Sequence, residues 1–562
     1  MPSVEPADIR TRDAEVLIIG AGVTGIYQLF RLTEAGFDVK LLEAGSGVGG
    51  VWHWNRYPMA RFDSESYTYG YFFSKELFQE WQWKERFAGQ PETESYLNYV
   101  VDRFQLRDRI ELNFRVVSAV WDEADCRWQI LSSDGQVRHA RHVVAATGLL
   151  SVPFYPAVPG REAFTGLSYH TGSWPAEGVD FVGKRVAVVG TGSSGVQIIP
   201  PIAEVAAELT VYQRTANWCT PLNNSFLTSD EHAKLRESYA EMRATLRQSE
   251  SGFLHRPSGK MTFEATSEER WQLYEKLWNS PGFAKTLSNF DDIKDARANA
   301  LFCAFLEHKI REIVQDPDVA EALIPRDHGY GMKRPPFVNG YYECFNKSSV
   351  SLVDLKTDPI AEITSDGIAT RAGKRVFDII VWATGFDAGT GALLRLNLVG
   401  VDGRTLRDHW ADGPQTYLGI QSSGFPNFYF PGGPHGGGLG NLPRSTEIQV
   451  DFIARLLRYV RMHGYGRVEA EPEAERAWTS GIYERAKQVN TAASSWFLGA
   501  NVPGKPTRFL LYPGGQTDYS RAIAELTGDK FSGFAMSEIA DGEHSGQPAE
   551  DALNGSEYKR ND

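Results

Sequence analysis

Two glycine-rich segments of this chain have the spacing that binds nucleotide phosphates. Residues 20–25 read GAGVTG and residues 190–195 read GTGSSG. Both fit the pattern GxGxxG, in which glycines let backbone N–H groups approach a pyrophosphate at the start of a helix. The pattern alone is a weak signal, because glycine-rich turns also occur in purely structural loops. The residues expected at the phosphates are Gly20, Gly22 and Gly25 in the first segment, and Gly190, Thr191, Gly192, Ser193, Ser194 and Gly195 in the second.

The residue that ends the following strand in each unit indicates which nucleotide binds. Glu43 follows the first glycines by roughly 20 positions, the spacing of a residue that accepts hydrogen bonds from ribose hydroxyls. Because a carboxylate repels a 2′-phosphate, the first site suits FAD or NAD. The second unit has Arg214 and Thr215 at the equivalent place. A guanidinium makes bidentate, charged contacts to a 2′-phosphate, so the second site predicts NADPH.

The surrounding elements predict two parallel α/β units that position these residues. Residues 15–19 and 185–189 are continuous apolar runs, which is typical of strands buried on both faces. A helical stretch runs from the first glycines to Ala35, and Gly36 supplies its stop. We therefore expect an α/β fold with two doubly wound, Rossmann-like dinucleotide-binding domains and a helical insertion.

Length and charge narrow the possible classes. A chain of 562 residues is too long to fold around one ordinary hydrophobic core, so several domains are expected. Its composition, with 42% hydrophobic and 23% charged residues, is typical of a globular protein. With 58 basic and 71 acidic side chains the net charge is −13, which disfavours nucleic acid as a partner. We find neither a signal-peptide pattern nor an apolar run of spanning length, so no membrane partner is expected.

The cysteines argue against metal and disulfide chemistry. Cys126, Cys219, Cys303 and Cys344 are widely separated, without a CxxC pair or metal-ligand spacing. We expect reduced thiols, no metal site and a cytoplasmic location. The missing CxxC also disfavours a thiol–disulfide reductase.

A third motif lies between the two units, at residues 164–175, which read FTGLSYHTGSWP. Taken alone it is equally well a surface loop whose glycines and prolines set its turns. The order of the flanking motifs decides, since FxGxxxHxxxWP between two dinucleotide signatures resembles the flavin-dependent (type I) Baeyer–Villiger monooxygenase family. The fingerprint residues are Phe164, Gly166, His170, Trp174 and Pro175, and we expect His170 to fix the hinge and not to catalyse.

The resemblance implies FAD and NADPH as cofactors and extends to several flanking stretches. The loop 49–66 resembles one that runs beside the flavin, and residues 496–506 resemble a mobile loop that closes over nicotinamide. Lys333 and Arg334 stand directly before Pro335. The resemblance implies that Lys333 contacts the 2′-phosphate of NADPH and that Arg334 reaches the flavin. The further FAD residues implied are Gly50, Val51, Trp52, Asp63, Tyr69 and Val117, and the further NADPH residues are Lys333 and Trp496.

The family reaction that the resemblance implies uses a small-molecule ketone and O₂. NADPH reduces FAD, a C4a-peroxyflavin forms, and its attack on the ketone yields an ester or lactone. Arg334 and Asp63 are the expected catalytic residues. An always-charged Arg334 can stabilise the peroxide anion and the oxyanion of the adduct. Asp63 lies in an aromatic, apolar stretch, needs a cationic partner, and would orient Arg334.

Two other functions stay open at this point, and so does the substrate. An S- or N-oxygenating flavin monooxygenase is the nearer alternative, and a non-catalytic NADPH-sensing flavoprotein is the more distant one. Met59 and Phe62 replace smaller residues of many family members, and residues 436–442 also depart from the family. The expected substrate-pocket residues are therefore Met59, Phe62 and Leu439. Neither the ketone nor the oligomeric state follows from the sequence.

The expected domains are discontinuous. Residues 1–149 and 387–562 should form the FAD domain, and residues 150–220 and 332–386 the NADPH domain. A helical insertion is expected over 221–331, with helices at 230–248 and 267–278. The polar segment 537–562 is expected to be a disordered tail.

Overall fold

The computed structural model describes residues 14–437, 440–492 and 494–538. Strands and helices alternate over most of this length, as expected for an α/β protein. The strands are β1 Val16–Ile19, β2 Val39–Leu42, β3 Ile110–Glu111, β4 Val116–Asp122, β5 Arg127–Ser132, β6 Val137–Ala140, β7 His142–Ala145, β8 Leu167–His170, β9 Arg185–Val189, β10 Glu208–Gln213, β11 Val350–Asp354, β12 Ile360–Thr364, β13 Gly367–Thr370, β14 Gly373–Val376, β15 Ile379–Trp382, β16 Asn397–Val399, β17 Phe428–Tyr429, β18 Tyr465–Ala470 and β19 Phe534–Glu538.

The helices connect these strands and build the insertion. Short 3₁₀ turns lie at Arg107–Arg109, Arg161–Ala163, Thr262–Glu264, Glu343–Asn346, Val401–Gly403, Trp496–Leu498 and Gly528–Lys530. The α-helices are α1 Val23–Glu34, α2 Val51–Trp54, α3 Ser66–Tyr69, α4 Lys75–Glu80, α5 Gln90–Arg103, α6 Ser193–Val205, α7 Ser229–Glu237, α8 Tyr239–Gln248, α9 Ser267–Trp278, α10 Ala284–Leu287, α11 Ala296–Ile313, α12 Pro317–Leu323, α13 Gly391–Arg395, α14 Leu406–His409, α15 Leu442–Met462, α16 Pro472–Ala486 and α17 Gln516–Thr527.

The first parallel sheet has the strand order β17-β7-β1-β2-β3. Alternate side chains of β1 enter two different cores, because successive residues of a strand point to opposite faces. Val16 and Ile18 pack with residues of α1 and α15, whereas Leu17 and Ile19 pack with β4 and β5. One face of the sheet is thus covered by helices and the other by the small sheet β16-β4-β5-β6.

The second parallel sheet has the order β11-β10-β9-β15-β8 and repeats this arrangement. Val186 and Val188 of β9 pack towards α6 and the helical insertion, whereas Ala187 and Val189 pack towards β12 and β13. Both sheets place the glycine-rich turn directly after a buried run of strand residues, Val16–Ile19 in β1 and residues 186–189 in β9. The two Rossmann-like domains predicted from the sequence are confirmed.

The helical insertion lies between β10 and β11 and contains α7 to α12. Four of these helices, α7, α9, α11 and α12, begin at side-chain caps, which satisfy backbone N–H groups that a first turn leaves free. Thr228 and Thr266 form capping boxes with glutamates three residues later. The stretch 230–248, predicted to be helix-forming, contains two helices, because Ser238 separates α7 from α8.

The C-terminal part contributes β17 and α15 to the first domain and ends in β19, which pairs with β18. Ser537 and Glu538 belong to this strand, so the tail predicted from residue 537 cannot begin there. Residues 539–562 lie outside the described part. The domain boundaries themselves remain a prediction. The strands of each parallel sheet come from the segments predicted for one domain, which agrees with these boundaries. No described helix is long and apolar enough to cross a membrane.

Candidate active site between two nucleotide cradles

A single cavity of about 1550 Å³ extends from the first glycine-rich turn to the start of α6 and to the insertion. Most of the residues predicted for FAD and catalysis meet in its wall. The predicted residues that line it are Gly20, Gly22, Glu43, Gly50, Val51, Trp52, Phe62, Asp63, Tyr69, Ser193, Ser194, Arg334 and Trp496. Residues as far apart in the sequence as Gly20 and Trp496 are thereby brought to one site.

The first cradle is built by glycines that no other residue can replace. A Cβ atom on Gly25 would lie 1.8 Å from the carbonyl oxygen of Gly20, so helix α1 can approach strand β1 only here. Gly50 has φ +57°, and its Cβ would lie 2.8 Å from the Cα of Gly22. The missing side chains leave backbone N–H groups open to a diphosphate at the start of α1.

Glu43 lies at the carboxyl end of β2, beside this cradle. Its two carboxylate oxygens accept hydrogen bonds from the backbone N–H groups of Ala21 and Gly45, each at 2.7 Å. These contacts fix the carboxylate in the cavity wall. The arrangement suits a ribose bound next to the diphosphate.

The second cradle repeats the geometry of the first. A Cβ atom on Gly195 would lie 2.1 Å from the carbonyl oxygen of Gly190, and Gly190 itself has φ +108°. Gly192 caps α6 in extended conformation, as Gly22 caps α1. The hydroxyl of Thr191 donates to the carbonyl of Thr215 at 3.0 Å, which ties the turn to the end of β10.

Cations gather at the carboxyl edge of the second sheet. Arg214 follows β10, and Lys356 follows the adjacent parallel strand β11, whose Asp354 pairs with Gln213. Burial lowers the pKa of Lys333; Asp327, with its carboxylate 3.7 Å away, opposes this, while Arg214 and Lys356 lower that pKa further. Three cations, Arg214, Lys333 and Lys356, therefore lie near one carboxylate, that of Asp327, and this excess of positive charge suits a dianionic phosphate. The sequence analysis did not include Lys356 in this site, although its position directly after the neighbouring strand could have indicated it.

Asp63 and Arg334 form the charged centre of the cavity wall. Nη2 of Arg334 donates a hydrogen bond to Oδ1 of Asp63. Burial raises the pKa of the Asp63 carboxyl, and the charge of Arg334 opposes this rise. The guanidinium carbon of Arg334 lies 5.1 Å from the ring centre of Phe283, a neighbour that the sequence did not reveal. The pair therefore holds a permanent positive charge at a defined place in a mostly apolar wall.

Aromatic side chains of the loop after β2 form the wall beside Asp63. Phe62 stacks on Tyr69 with ring centres 4.3 Å apart and meets Trp52 edge-on at 5.5 Å. The indole N–H of Trp52 donates to the hydroxyl of Tyr69 at 2.8 Å. This network keeps a rigid, apolar surface on the Asp63 side of the cavity.

The fingerprint joins the two domains through contacts at its ends. The backbone N–H of Trp174 donates to the carbonyl of Trp54 at 3.1 Å, and its ring lies edge-on to Tyr57. Tyr57 in turn donates from its hydroxyl to Gln197 of α6 at 2.7 Å. At the other end, Phe164 packs beside the core of the second sheet. Gly166 lies so close to the carbonyl oxygen of Asp378 that a Cβ atom would be 2.7 Å from it. Pro175 directly follows Trp174.

His170 ends β8 and is buried. Its Nδ1 accepts a hydrogen bond from the backbone N–H of Gly172 at 2.9 Å, and its ring lies edge-on to Phe386 at 5.8 Å. Burial lowers the pKa of His170 from 6.5 to about 4. A neutral imidazole that shapes a turn agrees with a hinge-fixing role.

Two predicted residues are placed differently from what we expected. Met59 does not line the cavity, because its backbone has φ 65° and its side chain points outwards, 52% exposed. The assignment of Met59 to the substrate pocket is therefore corrected. Among the described residues the wall includes Val116 and not Val117. Leu439 lies outside the described residues.

The chemistry of disulfides and metals has no support in the described residues. Cys126, Cys219, Cys303 and Cys344 are all free thiols. No group of three or more potential metal ligands is found in ranges 14–437, 440–492 and 494–538. Two dinucleotide cradles that open towards one apolar cavity define the class: a two-domain pyridine-nucleotide flavoprotein.

Comparison with known proteins narrows this class. The family model described as pyridine nucleotide-disulphide oxidoreductase matches residues 17–305. A 2-oxo-Δ3-4,5,5-trimethylcyclopentenylacetyl-CoA monooxygenase of Pseudomonas putida is 39% identical, covering 93% of this chain and 98% of the relative. A cyclopentanone 1,2-monooxygenase of Comamonas sp. is 39% identical, covering 93% and 96%. A phenazine N-monooxygenase of Lysobacter antibioticus is 38% identical, covering 93% and 97%.

Solved structures agree with these relatives. The complex of OTEMO with FAD and NADP has a TM-score of 0.90 at 39% identity, covering 94% of this chain and 100% of that one. An oxidised steroid monooxygenase bound to NADP has a TM-score of 0.88 at 44% identity, covering 93% and 99%. The chain belongs to the flavin-dependent Baeyer–Villiger monooxygenase family.

Proposed function

We propose that the protein is a Baeyer–Villiger monooxygenase that uses FAD, NADPH and O₂ to convert a ketone into an ester or lactone. The observation that carries this proposal is the position of Arg334, held by Asp63 in the wall of the cavity that both nucleotide cradles border. Bound FAD, once reduced by NADPH, supplies activated oxygen for transfer to the ketone. The residues of the chain bind, orient and shield the reactants.

The residues of the first cradle fit FAD. The backbone approach at Gly22 and Gly50 leaves no room for side chains, as a diphosphate contact requires. Glu43 would accept hydrogen bonds from the ribose. Gly20, Val51, Trp52, Tyr69 and Asp63 line the path from there into the cavity, where the reactive ring would lie.

NADPH fits the second cradle and its cations. The N-terminal turn of α6 would hold the diphosphate, and Arg214, Lys333 and Lys356 would surround the 2′-phosphate. The depressed pKa of Lys333 supports this, since an added dianion would relieve the repulsion among three cations. Trp496 lines the cavity from the C-terminal part and would approach the nicotinamide end.

Arg334 and Asp63 would act on charge that develops during oxygen transfer. A guanidinium stays protonated at any working pH, so it can stabilise an oxyanion on the former ketone carbonyl without gaining or losing a proton itself. Asp63 fixes the orientation of that charge before the substrate arrives. The aromatic wall of Phe62, Tyr69 and Trp52 would exclude water, which otherwise diverts activated oxygen to hydrogen peroxide.

Oxygenation at nitrogen is the second candidate, because a phenazine N-monooxygenase is 38% identical over 93% of this chain. Such a reaction needs an electrophilic oxygen donor and gains nothing from a carbonyl oxyanion site. Carbonyl chemistry therefore predicts a strict need for Arg334, whereas N-oxidation predicts a weaker one. A cytoplasmic location belongs to the same proposal and is consistent with four free cysteines.

The test uses purified protein loaded with FAD. NADPH oxidation and product formation are measured with linear, cyclic and steroid ketones and with phenazine, under ¹⁸O₂ with mass analysis of the products. One ¹⁸O atom in an ester or lactone supports the proposal. An N-oxide without any ester would favour the second candidate, and NADPH binding without oxidation would indicate a sensing flavoprotein.

A further inference from the structure

A buried carboxylate, Glu65, lies two residues beyond Asp63 and outside the roles described so far. Its side chain is 5% exposed, and Oε1 lies 2.7 Å from Nε2 of His255, whose side chain is 15% exposed. Oε2 is buried and has no hydrogen-bond partner in the described residues. His255 is therefore the contact partner on which the burial of Glu65 depends.

His255 belongs to a segment that forms one wall of the large cavity. This wall segment, defined as residues 249–257, contributes Ser249, Glu250, Ser251, Phe253, His255, Arg256 and Pro257 to the cavity lining. Phe253 stacks on Phe283 with ring centres 4.8 Å apart, and Phe283 lies under the guanidinium of Arg334. The wall segment thus touches the surroundings of both Asp63 and Arg334.

The first residues of the wall segment are fixed to the rest of the protein, and His255 lies towards its other end, where it faces Glu65. The backbone N–H of Asn441 donates to the carbonyl of Ser251 at 2.8 Å, and that of Gln516 to Glu250 at 2.7 Å. Glu65 itself starts helix α3, and its carbonyl accepts from Thr68 and Tyr69 at 2.8 and 3.0 Å. A movement of Glu65 would therefore be passed to Tyr69 and Asp63.

We propose that the Glu65–His255 contact is a positioning contact that holds the wall segment against the Asp63–Arg334 pair. Without His255, Glu65 would be an uncompensated buried charge, which is strongly unfavourable. The wall segment then separates and water enters the cavity. That water diverts activated oxygen to hydrogen peroxide and leaves less for the ketone.

The test compares single and double variants of the holoenzyme. His255→Gln keeps hydrogen-bonding atoms in an uncharged side chain, and we expect the displaced wall to lower the oxygenation rate 10- to 100-fold, with NADPH consumed to hydrogen peroxide. His255→Lys places a cation beside Glu65 and should couple NADPH oxidation to product formation as the wild type does. The double variant Glu65→Gln/His255→Gln should recover most of the coupling, since no buried charge is left without a partner. His463→Gln changes an exposed histidine and is the matched control.

A structural role alone would lower thermal stability in all pair variants without changing the share of NADPH that is oxidised to hydrogen peroxide. The expected signature is a large peroxide share in His255→Gln and a small one in the wild type, in His255→Lys and in the double variant. FAD content, read from absorbance, separates loss of folding from loss of positioning. Wild-type coupling in His255→Gln would overturn the proposal, as would a double variant as uncoupled as the single one.

Discussion

Arg334 contacts Asp63 across 271 positions of sequence, from the end of the helical insertion to the loop that follows β2. The contact joins a permanent cation to a carboxylate whose pKa burial raises, so each residue lowers the cost of burying the other. The backbone N–H of Thr220 donates to the carbonyl of Pro336 at 3.1 Å, and the side-chain amide of Asn217 donates to the carbonyl of Arg334 at 3.2 Å, so the segment that precedes the insertion helps to fix where this charge lies.

The cradle for the second nucleotide predicts a preference for NADPH that depends on Arg214. Arg214→Ala should weaken NADPH binding by about 1.5–3 kcal/mol, the value of one charge-assisted contact, and leave NADH nearly unchanged. Dissociation constants of both nucleotides, measured by titration, provide the check. Arg297→Ala removes an arginine whose side chain is 81% exposed and serves as control. Equal weakening of NADPH and NADH would contradict the assignment.

Lys356 should contribute to the same preference, although less than Arg214 because its side chain is exposed. Lys356→Ala is expected to raise the KM for NADPH by roughly three- to tenfold, with kcat unchanged, since only ground-state binding is lost. It should also raise the pKa of Lys333 by removing one neighbouring cation. Steady-state kinetics suffice, with Lys276→Ala on α9 as control; an unchanged KM places Lys356 outside the cradle.

The fingerprint predicts a defect in coupling when His170 is removed. His170→Ala deletes the acceptor for Gly172 and the ring against Phe386, so the turn between the domains loses its shape. We expect normal FAD content and a several-fold larger share of NADPH oxidised to hydrogen peroxide, because linkers govern turnover without touching the reactants. Peroxide and product are quantified together. Wild-type ratios would reduce the fingerprint to a structural loop.

Buried histidines predict loss of stability on acidification. Burial lowers the pKa of His170 to about 4, and those of His142 and His435 to about 3, from 6.5. A depressed pKa contributes stability that is present above the unfolded value and is lost as the pH falls towards the folded value. Each histidine should cost about 2 kcal/mol at pH 5. His170→Gln should flatten the fall in unfolding free energy between pH 7 and pH 5; an equally steep fall would rule His170 out as a cause.

The parts of the site that follow from local rules were predictable from the sequence. The steric need for Gly20, Gly25, Gly190 and Gly195 is contained in a strand–turn–helix of fixed length, and Glu43 and Arg214 sit at strand ends whose position the period of apolar residues indicates. These features depend on neighbours within one βαβ unit.

What the sequence did not reveal depends on contacts between distant segments or on backbone conformation. The pairing of Glu65 with His255 and the packing of Phe283 on Arg334 join the insertion to the FAD-side loop, and no periodic pattern encodes them. Met59 was misplaced because a positive φ at a residue with a long side chain is unusual and turned that side chain outwards. Lys356 was recognised only in the structure, because its place beside Arg214 depends on the pairing of β10 with β11, which the order of strands in the sheet determines.

The central claim is that the charge of Arg334 is needed for oxygen transfer and not for flavin reduction. Asp63 and Phe283 hold that charge in the cavity wall, so a lysine at 334 should rescue poorly, because a point charge on a flexible stem cannot reproduce the planar fork. Arg297→Ala again serves as the exposed control.

The most direct measurement follows NADPH oxidation, hydrogen peroxide and oxygenated product in Arg334→Ala with a ketone that the wild type converts. Removal of a preorganised stabiliser typically costs about 10²–10³-fold in rate. We predict continued NADPH oxidation, hydrogen peroxide in nearly equal amount, and product formation reduced by at least this factor. Ester or lactone formation at a rate near that of the wild type would contradict the role of Arg334 and the reaction proposed for this protein.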